Sequence, residues 1–207
     1  MPRREILFVE NHHYHFYNRG NNRGAIFFKP ENYLFFLRRW KKYVAPFVDT
    51  IAYCLMPTHY HFCVRVKDQT SEVWQTSEVS VSETISKAMQ KFGISYTKAI
   101  NKRFDRTGAL FEGAFQAKPV ISERHLLHLC RYIHGNPVKD GLVADPADWA
   151  YSNYLEWLGQ RGGALYTPEF VQEYFASPSD YRDFVFDDLR GRDLPDDIKR
   201  YLDEFEM

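Results

Sequence analysis

The sequence predicts an α+β fold, namely a ferredoxin-like (split βαβ) antiparallel sheet with helices on one face and a mainly helical or irregular C-terminal extension. The main observation is the order of the segments: strand, helix, strand, strand, helix, strand. Aromatic residues make up 17% of the chain, many of them in extended runs that favour β-structure. With 207 residues and 44% hydrophobic content, the chain can bury a core without disulfide bonds. We assign residues 1–154 to this domain and residues 155–207 to the extension.

The first strand and helix are separated by a loop. Residues 12–18 (HHYHFYN) are rich in aromatics and predict a strand. Residues 19–24 predict a loop, because Gly and Asn tolerate positive φ. Pro30 favours the first turn of a helix that Pro46 ends. The apolar positions of this helix recur at helical spacing: Tyr33, Leu34, Leu37 and Trp40.

The middle of the chain predicts a hairpin and then a polar link. Residues 48–56 and 59–66 are the two strands, joined by a turn at Pro57-Thr58. Residues 67–81 are polar and predict a surface loop or a poorly ordered link.

One more helix, strand and helix follow. A helix from Ser82 to about Phe104 carries a basic face, and a strand lies within residues 110–120. Ser122 is a plausible N-cap for a third helix that runs to about Ile133. Asn136-Pro137 should limit how far that helix continues.

The net charge of zero hides an asymmetry along the chain. Residues 1–139 carry 21 Lys and Arg against 11 Asp and Glu, whereas residues 140–207 carry 6 against 16. A basic body suggests a surface for a polyanion, and the acidic extension could fold back as short helices and shield it. The ordinary alternative is a solvated surface with an accidental bias.

Several classes of protein are disfavoured. Three cysteines without a Cys-x-x-Cys pair argue against a disulfide framework and for a reducing cytoplasm. The apolar runs are too short for a membrane span or a secretory signal, so we expect no membrane partner. Neither nucleotide-binding glycine motif is present.

The sharpest chemical feature is the pair of histidines in His59-Tyr60-His61. Residues i and i+2 of a strand project to the same side, about 7 Å apart along the chain. Both imidazoles could therefore converge on one metal ion or one phosphate. Two histidines on a solvated sheet face remain the alternative.

Tyr132 and Asn136 are the second feature, since residues four apart share one face of a helix. Each also has an ordinary explanation, core packing for the tyrosine and helix termination for the asparagine. His125 and His128 lie near the same face and are either outer partners of a site or surface residues.

Together these residues suggest one mechanism. Two imidazoles and an amide oxygen would bind a divalent cation, and a tyrosine hydroxyl would attack a phosphorus atom. The product would be a phosphotyrosine, and no nucleotide cofactor is needed.

The sequence also resembles a known family. The matching motifs are YNRGNNR at 17–23, LMPTHYHFCV at 55–64, GALFEGAF at 108–115 and RYIHGNPVKDGLV at 131–143. They are similar to the HUH single-tyrosine transposases, most closely to the REP-associated tyrosine transposases of bacteria, over about residues 10–154.

The resemblance implies a role for each matched residue. His59 and His61 correspond to the metal-binding pair, Asn136 to the third ligand and Tyr132 to the nucleophile, with Mg²⁺ or Mn²⁺ as the cofactor. Members of the family cleave and transfer single-stranded DNA near hairpins through a 5′-phosphotyrosine. The implied partner is single-stranded DNA with palindromic-repeat hairpins, and the implied location is the cytoplasm, with the nucleoid.

Two departures qualify the resemblance. Family members often carry a basic residue in the stretch where this chain has Ala114 and Gln116, so phosphate contacts from that segment are in doubt. The acidic residues 155–207 have no equivalent that can be placed.

We expect DNA contacts from two groups of residues. The first group is the loop after the first strand, and the second is the basic face of the second helix, for which simple solvation is the alternative. The residues concerned are Arg19, Asn21, Asn22, Arg23, Lys87, Lys91, Lys98 and Lys102.

Three rivals stay open at this stage. An RNA-recognition-like binding module shares the fold class but gives the histidines no role. A zinc hydrolase could use His59, His61 and Cys63, and a domesticated or inactive relative could bind or nick DNA without transposing it. The long extension favours a monomer over a homodimer.

Overall fold

In the computed structural model, which describes residues 6–68, 80–165, 168–191 and 196–203, four antiparallel strands form one sheet. Their order across the sheet is β2-β3-β1-β4. This is the order of a split βαβ sheet, so the predicted fold class is confirmed. The strands are β1 His13–Arg19, β2 Val48–Leu55, β3 His59–Val66 and β4 Gln116–Pro119.

Seven helices accompany the described part of the sheet. Helices α1 and α2 join the strands, α3 follows β4, and the remaining four belong to the C-terminal region. Their bounds are α1 Pro30–Tyr43, α2 Val81–Arg103, α3 Glu123–Lys139, α4 Tyr154–Trp157, α5 Pro168–Tyr174, α6 Pro178–Leu189 and α7 Asp196–Asp203.

Helices α1 and α2 cover one face of the sheet, as predicted. Phe16 and Phe62 point from β1 and β3 into this layer, where the indole of Trp40 stacks on Phe62 at 3.7 Å between ring centroids. Phe36 of α1 contacts Phe92 of α2 edge-to-face at 4.7 Å. This aromatic layer explains the high aromatic content of the chain.

Helix α3 lies on the opposite face, which the predicted placement of helices on one face did not include. Its apolar residues Leu126, Leu129 and Ile133 share a core cluster with Cys54 and Cys63 of the sheet. The C-terminal helices α4 to α7 add to the same cluster. Burial of these apolar side chains places α3 there, and it leaves the sheet covered on both faces.

The predicted end of α3 is wrong. The helix continues through Asn136 and Pro137 to Lys139, although proline lacks the N–H that would bond the preceding turn. The Asp140 N–H donates to the Asn136 carbonyl at 2.9 Å and closes the last turn. Tertiary packing of this buried segment therefore outweighs the local preference for an earlier end.

Local signals at the helix starts are mostly confirmed. Ser122 caps α3 by accepting from the His125 N–H at 3.2 Å, and Pro30 begins α1. Helix α2 is capped by Ser80, two residues before the expected start at Ser82. Of the predicted polar link, residues 69–79 lie outside the described residues.

The described part of the extension forms short helices, as predicted, and helices α4 to α7 pack in the core cluster on the α3 side of the sheet. Its buried acidic residue Asp188 reaches α3, with Oδ2 2.9 Å from Lys139 Nζ and Oδ1 3.8 Å from Arg131 Nη2. Lys87 of α2 pairs instead with Glu83 of its own helix at 2.6 Å. Across the described ranges, no helix is both long and apolar enough to cross a membrane.

Candidate active site

The pairing of β1 with β3 places the predicted histidines beside a row of polar and aromatic side chains. Tyr17 lies opposite His61, and Arg19 lies opposite His59. Because alternate residues of a strand share a face, these four side chains and His15 all lie on the α3 side of the sheet. The predicted pair is therefore not on a solvated sheet face.

A cleft of about 770 Å³ opens where this row meets the end of α3. The sheet contributes His59 and His61 to its lining, and α3 contributes Tyr132 and Asn136. The four residues singled out from the sequence thus meet at one place. Hydrophobic packing of α3 against β2 and β3 sets this meeting point.

The two imidazoles are held by their Nδ1 atoms. His59 Nδ1 is 3.0 Å from Thr58 Oγ1, and His61 Nδ1 is 2.9 Å from His15 Nε2. The ring centroids of His59 and His61 are 5.0 Å apart. In each ring, Nε2 is therefore the nitrogen that remains to bind a ligand through its lone pair.

Burial keeps both imidazoles neutral near pH 7. Loss of solvation lowers the pKa of His61 well below its usual range, and the neighbouring His59 and His15 lower it further. Burial also lowers the pKa of His59, although Asp140 opposes that shift. Neutral imidazole is the form that binds metal ions.

Tyr132 is buried against the histidine pair. Its side chain is 3% exposed, and its ring stands edge-on to His61 with centroids 5.8 Å apart. The ammonium group of Lys139, about two turns further along α3, lies 5.1 Å from the centre of the Tyr132 ring. A positive charge therefore sits beside the phenol in the cleft.

Asn136 completes a donor set that fits a divalent cation. Its amide is 5% exposed, and Nδ2 has no hydrogen-bond partner within the described part of the chain. A ligand in the cleft would satisfy this amide, with its oxygen on a cation and its NH₂ group on a phosphate oxygen. Two imidazole nitrogens with one amide oxygen suit Mn²⁺ well and Mg²⁺ less well.

The predicted DNA-contact residues separate into two groups. Arg19 and Arg23 line the cleft, and Arg19 also forms an ion pair with Glu112. Asn21 and Asn22 lie on the same exposed loop but not in the cleft lining. The four lysines belong to α2, on the far side of the sheet: Lys87, Lys91, Lys98 and Lys102.

One side of the cleft is lined by the segment that contains Ala114 and Gln116. This is the segment in which the resemblance leads us to expect a basic residue. Glu112, from the same segment, is the charged group it contributes. Arg19 and Arg23 contribute positive charge to the same cleft lining.

Sequence reasoning missed several cleft residues. The cleft lining also includes Tyr17, Glu112, Lys139 and Asp140. His15 contacts the Nδ1 atom of His61 through its own Nε2 atom. The alternation of β1 was a usable signal for His15 and Tyr17, but only the register of β1 against β3 shows which face they share with His61.

His125 and His128 are not partners of the site. His125 Nδ1 lies 2.6 Å from Ser122 Oγ, and its ring contacts Tyr201 at 5.0 Å between centroids. His128 lies against Phe184 at 5.5 Å. Both histidines contact the C-terminal helices instead.

Comparisons with known proteins support the resemblance seen in the motifs. No family model matches the chain. A Haemophilus influenzae protein that carries the provisional name REP-associated tyrosine transposase is 24% identical over 106 residues. That match covers 51% of this chain and 58% of the relative's length.

A solved structure shares the fold. It is described as a REP-associated tyrosine transposase bound to a REP hairpin, and it superposes with a TM-score of 0.58 at 16% sequence identity. The superposition covers 81% of this chain and 90% of the other. The chain thus resembles proteins of this name in both sequence and fold.

Proposed function

We propose that this chain, which resembles REP-associated tyrosine transposases, is a metal-dependent endonuclease and strand transferase acting on single-stranded DNA near hairpins. The observation that carries the proposal is the meeting of His59, His61, Tyr132 and Asn136 in one cleft. A hairpin substrate is supported by the solved neighbour, whose DNA partner is a REP hairpin.

His59, His61 and Asn136 would hold Mg²⁺ or Mn²⁺. The cation, when bound, would supply charge stabilisation to the scissile phosphate as a Lewis acid. The neutral state of both imidazoles and the fixed Nδ1 contacts favour this role, because no proton has to leave the rings before binding.

Tyr132 would act as the nucleophile. Its hydroxyl loses its proton as the oxygen forms a bond to phosphorus and the bond from phosphorus to the 3′ oxygen breaks. The leaving oxygen takes up a proton to become a 3′-hydroxyl, so that no proton is gained or lost overall. The DNA remains attached through a 5′-phosphotyrosine, which conserves the bond for rejoining. The nearby Lys139 favours this reaction, since a positive charge stabilises the negative charge that develops as the phenol attacks.

Two rival functions lose support. An RNA-recognition module needs an open sheet face for stacking, whereas here the described sheet has α1 and α2 on one face and α3 on the other. For a zinc hydrolase, Cys63 would be the third ligand, but it is buried in the core beside Cys130. Within the described residues, no group of three or more His, Cys, Asp or Glu could hold a metal.

The proposal is tested with labelled hairpin DNA that carries single-stranded flanks. The full chain is incubated with this DNA and Mn²⁺, and products are separated by denaturing electrophoresis. We expect a covalent protein–DNA adduct that is lost in Tyr132→Phe and in a double His59→Ala, His61→Ala variant. Tyr43→Phe, which removes a hydroxyl from α1 outside the cleft, is the matched control and should form the adduct normally.

An adduct of undiminished yield in Tyr132→Phe would show that another residue is the nucleophile. Adduct formation in EDTA at the Mn²⁺ rate would contradict metal dependence. DNA binding without cleavage under every metal condition would favour a domesticated or inactive binding module.

A further inference from the structure

We propose that His15 is a positioning residue for the metal site, because it fixes the proton of His61 on Nδ1 and so keeps Nε2 free to bind a cation. This inference rests on the proposed function, which assigns His61 as a ligand. It adds a residue from β1 whose part in the site neither the motifs nor the comparisons assign.

The contact between the two rings is close and buried. His15 Nε2 lies 2.9 Å from His61 Nδ1, and the rings are nearly parallel, with centroids 5.1 Å apart and planes inclined by 18°. His15 is fully buried and His61 is 4% exposed. A hydrogen bond that is shielded from water in this way holds its geometry better than one at the surface.

The register of the sheet explains how His15 comes to make this contact. On β1, His15 lies opposite Cys63, and Tyr17 lies opposite His61, so His15 is the diagonal neighbour of His61 on the same face. The ring of Tyr17 stacks on His15 at 4.8 Å and holds it from the side of the cleft. The imidazole of His15 is therefore fixed in orientation by packing as well as by its hydrogen bond.

Hydrogen-bond chemistry decides which ring nitrogen of His61 must carry the proton. A neutral imidazole has one N–H donor and one acceptor nitrogen. If Nε2 of His61 is to bind a cation through its lone pair, its proton must be on Nδ1 and must donate to His15 Nε2. Metal-binding histidines usually donate their second N–H to such an outer partner, and loss of the partner typically costs about 10–100-fold in metal affinity or activity.

A purely structural role makes a different prediction. If His15 only fills space, an apolar side chain of similar size should preserve the site. If His15 is needed as an acceptor, His15→Leu should damage metal binding while His15→Gln should preserve it, because the glutamine amide oxygen can accept from His61 Nδ1. The comparison of these two variants separates the roles.

The first experiment measures Mn²⁺ affinity of the full chain without DNA, by electron paramagnetic resonance of free Mn²⁺. We expect His15→Leu to weaken binding by about 10–100-fold and His15→Gln by only a few-fold. His13→Leu is the matched control, because His13 lies two residues earlier on the same strand and contacts Phe170 instead of a candidate ligand. It should bind Mn²⁺ as the unmodified chain does.

The outcomes distinguish this inference from the proposed function. If the unmodified chain fails to bind Mn²⁺, the proposed metal site is wrong. If it binds Mn²⁺ and loses binding in His59→Ala, but His15→Leu binds equally well, the metal site stands and the role of His15 is refuted.

A second measurement does not depend on whether a variant folds. Nitrogen NMR of the histidine rings in the metal-free full chain reports which nitrogen of each ring carries the proton. We expect His61 to be protonated on Nδ1 and His15 to be unprotonated on Nε2. The reverse assignment, with the proton of the shared hydrogen bond on His15, would overturn the inference.

Discussion

At Gly20 the backbone leaves β1 and turns back so closely that only glycine fits. A Cβ atom built there would lie 1.9 Å from the carbonyl oxygen of Gly24, which is backbone and cannot rotate away. Positive φ in this loop occurs at Asn22 and Arg23 instead, with values of 54° and 55°. The glycine is therefore required by a close approach rather than by its own φ, contrary to the sequence-based explanation.

This close approach leads to a prediction for the loop that carries Arg19 and Arg23. Gly20→Ala should destabilise the fold by about 1–3 kcal/mol, the usual cost of overpacking, and should weaken hairpin DNA binding because both arginines move. Gly93→Ala, in α2 with no atom within 4 Å of the added Cβ, is the control and should stabilise by up to about 1 kcal/mol. Urea unfolding and a DNA-binding titration check both; equal stability of the two variants would refute the prediction.

At the scale of the element, α3 uses two faces for two purposes. Tyr132 and Asn136 face the cleft, whereas His134 faces the extension. His134 Nε2 donates to Asn153 Oδ1 at 2.9 Å, and the Tyr181 hydroxyl donates to His134 Nδ1 at 2.5 Å. The Asn153 oxygen is an acceptor because it also receives the Tyr53 N–H at 2.6 Å, so the neutral imidazole satisfies both contacts.

The buried hydrogen bonds of His134 predict that the fold becomes less stable in acid. Burial lowers the pKa of His134 from about 6.5 to about 4. The pKa of His134 is lower in the folded state than in the unfolded state. Its contribution to the free energy of unfolding is therefore complete above about pH 6.5 and is lost as the pH falls towards 4. His134→Gln should be less stable at pH 7, and its stability should fall less steeply in this window, by up to about 1.4 kcal/mol per pH unit.

Urea unfolding at several pH values from 7 to 4 provides the test, with His12→Gln, an exposed histidine before β1, as the control for losing an imidazole. Parallel pH dependences for the unmodified chain and His134→Gln would show that another group causes the acid sensitivity.

The sequence predicts the elements that depend on local patterns, but it does not predict those that depend on contacts between distant parts of the chain. The β2–β3 hairpin and its His-x-His pair follow from local patterns, and β3 has the predicted bounds of residues 59–66. The course of α3 past Pro137 and its place on the second sheet face follow from long-range burial that local signals do not contain. The sequence does not identify His15 as part of the site, because its contact with His61 depends on the register of β1 against β3.

At the scale of the whole molecule, the acidic extension is part of the core that holds the site. Tyr181 and Val185 of α6 are fully buried in the cluster that also contains Tyr132 and Ile133 of α3. Asp188, at the end of α6, pairs with Lys139 beside the cleft and lies near the buried Arg131. Asp188, one of the acidic residues behind the charge asymmetry, therefore attaches the extension to α3, the helix that contains Tyr132.

Removing that carboxylate should weaken the whole assembly. Asp188→Ala removes the buried carboxylate that pairs with the Arg131 guanidinium, and loss of one partner of a buried ion pair typically costs about 3–5 kcal/mol. Asp183→Ala is the matched control on the same helix, because Asp183 pairs with Arg182 at the surface and should contribute about 0–1 kcal/mol. Thermal or urea unfolding compares the two, and a cost below about 1 kcal/mol for Asp188→Ala would contradict this account of the extension.

The central claim is that Tyr132, next to His59 and His61, becomes covalently attached to DNA. The most direct test digests the adduct with protease and nuclease and locates the remaining nucleotide by mass spectrometry. The account predicts a 5′-phosphonucleotide on the peptide that contains Tyr132 and on its phenolic oxygen. A nucleotide on any other residue, or a link through a 3′-phosphate, would contradict it.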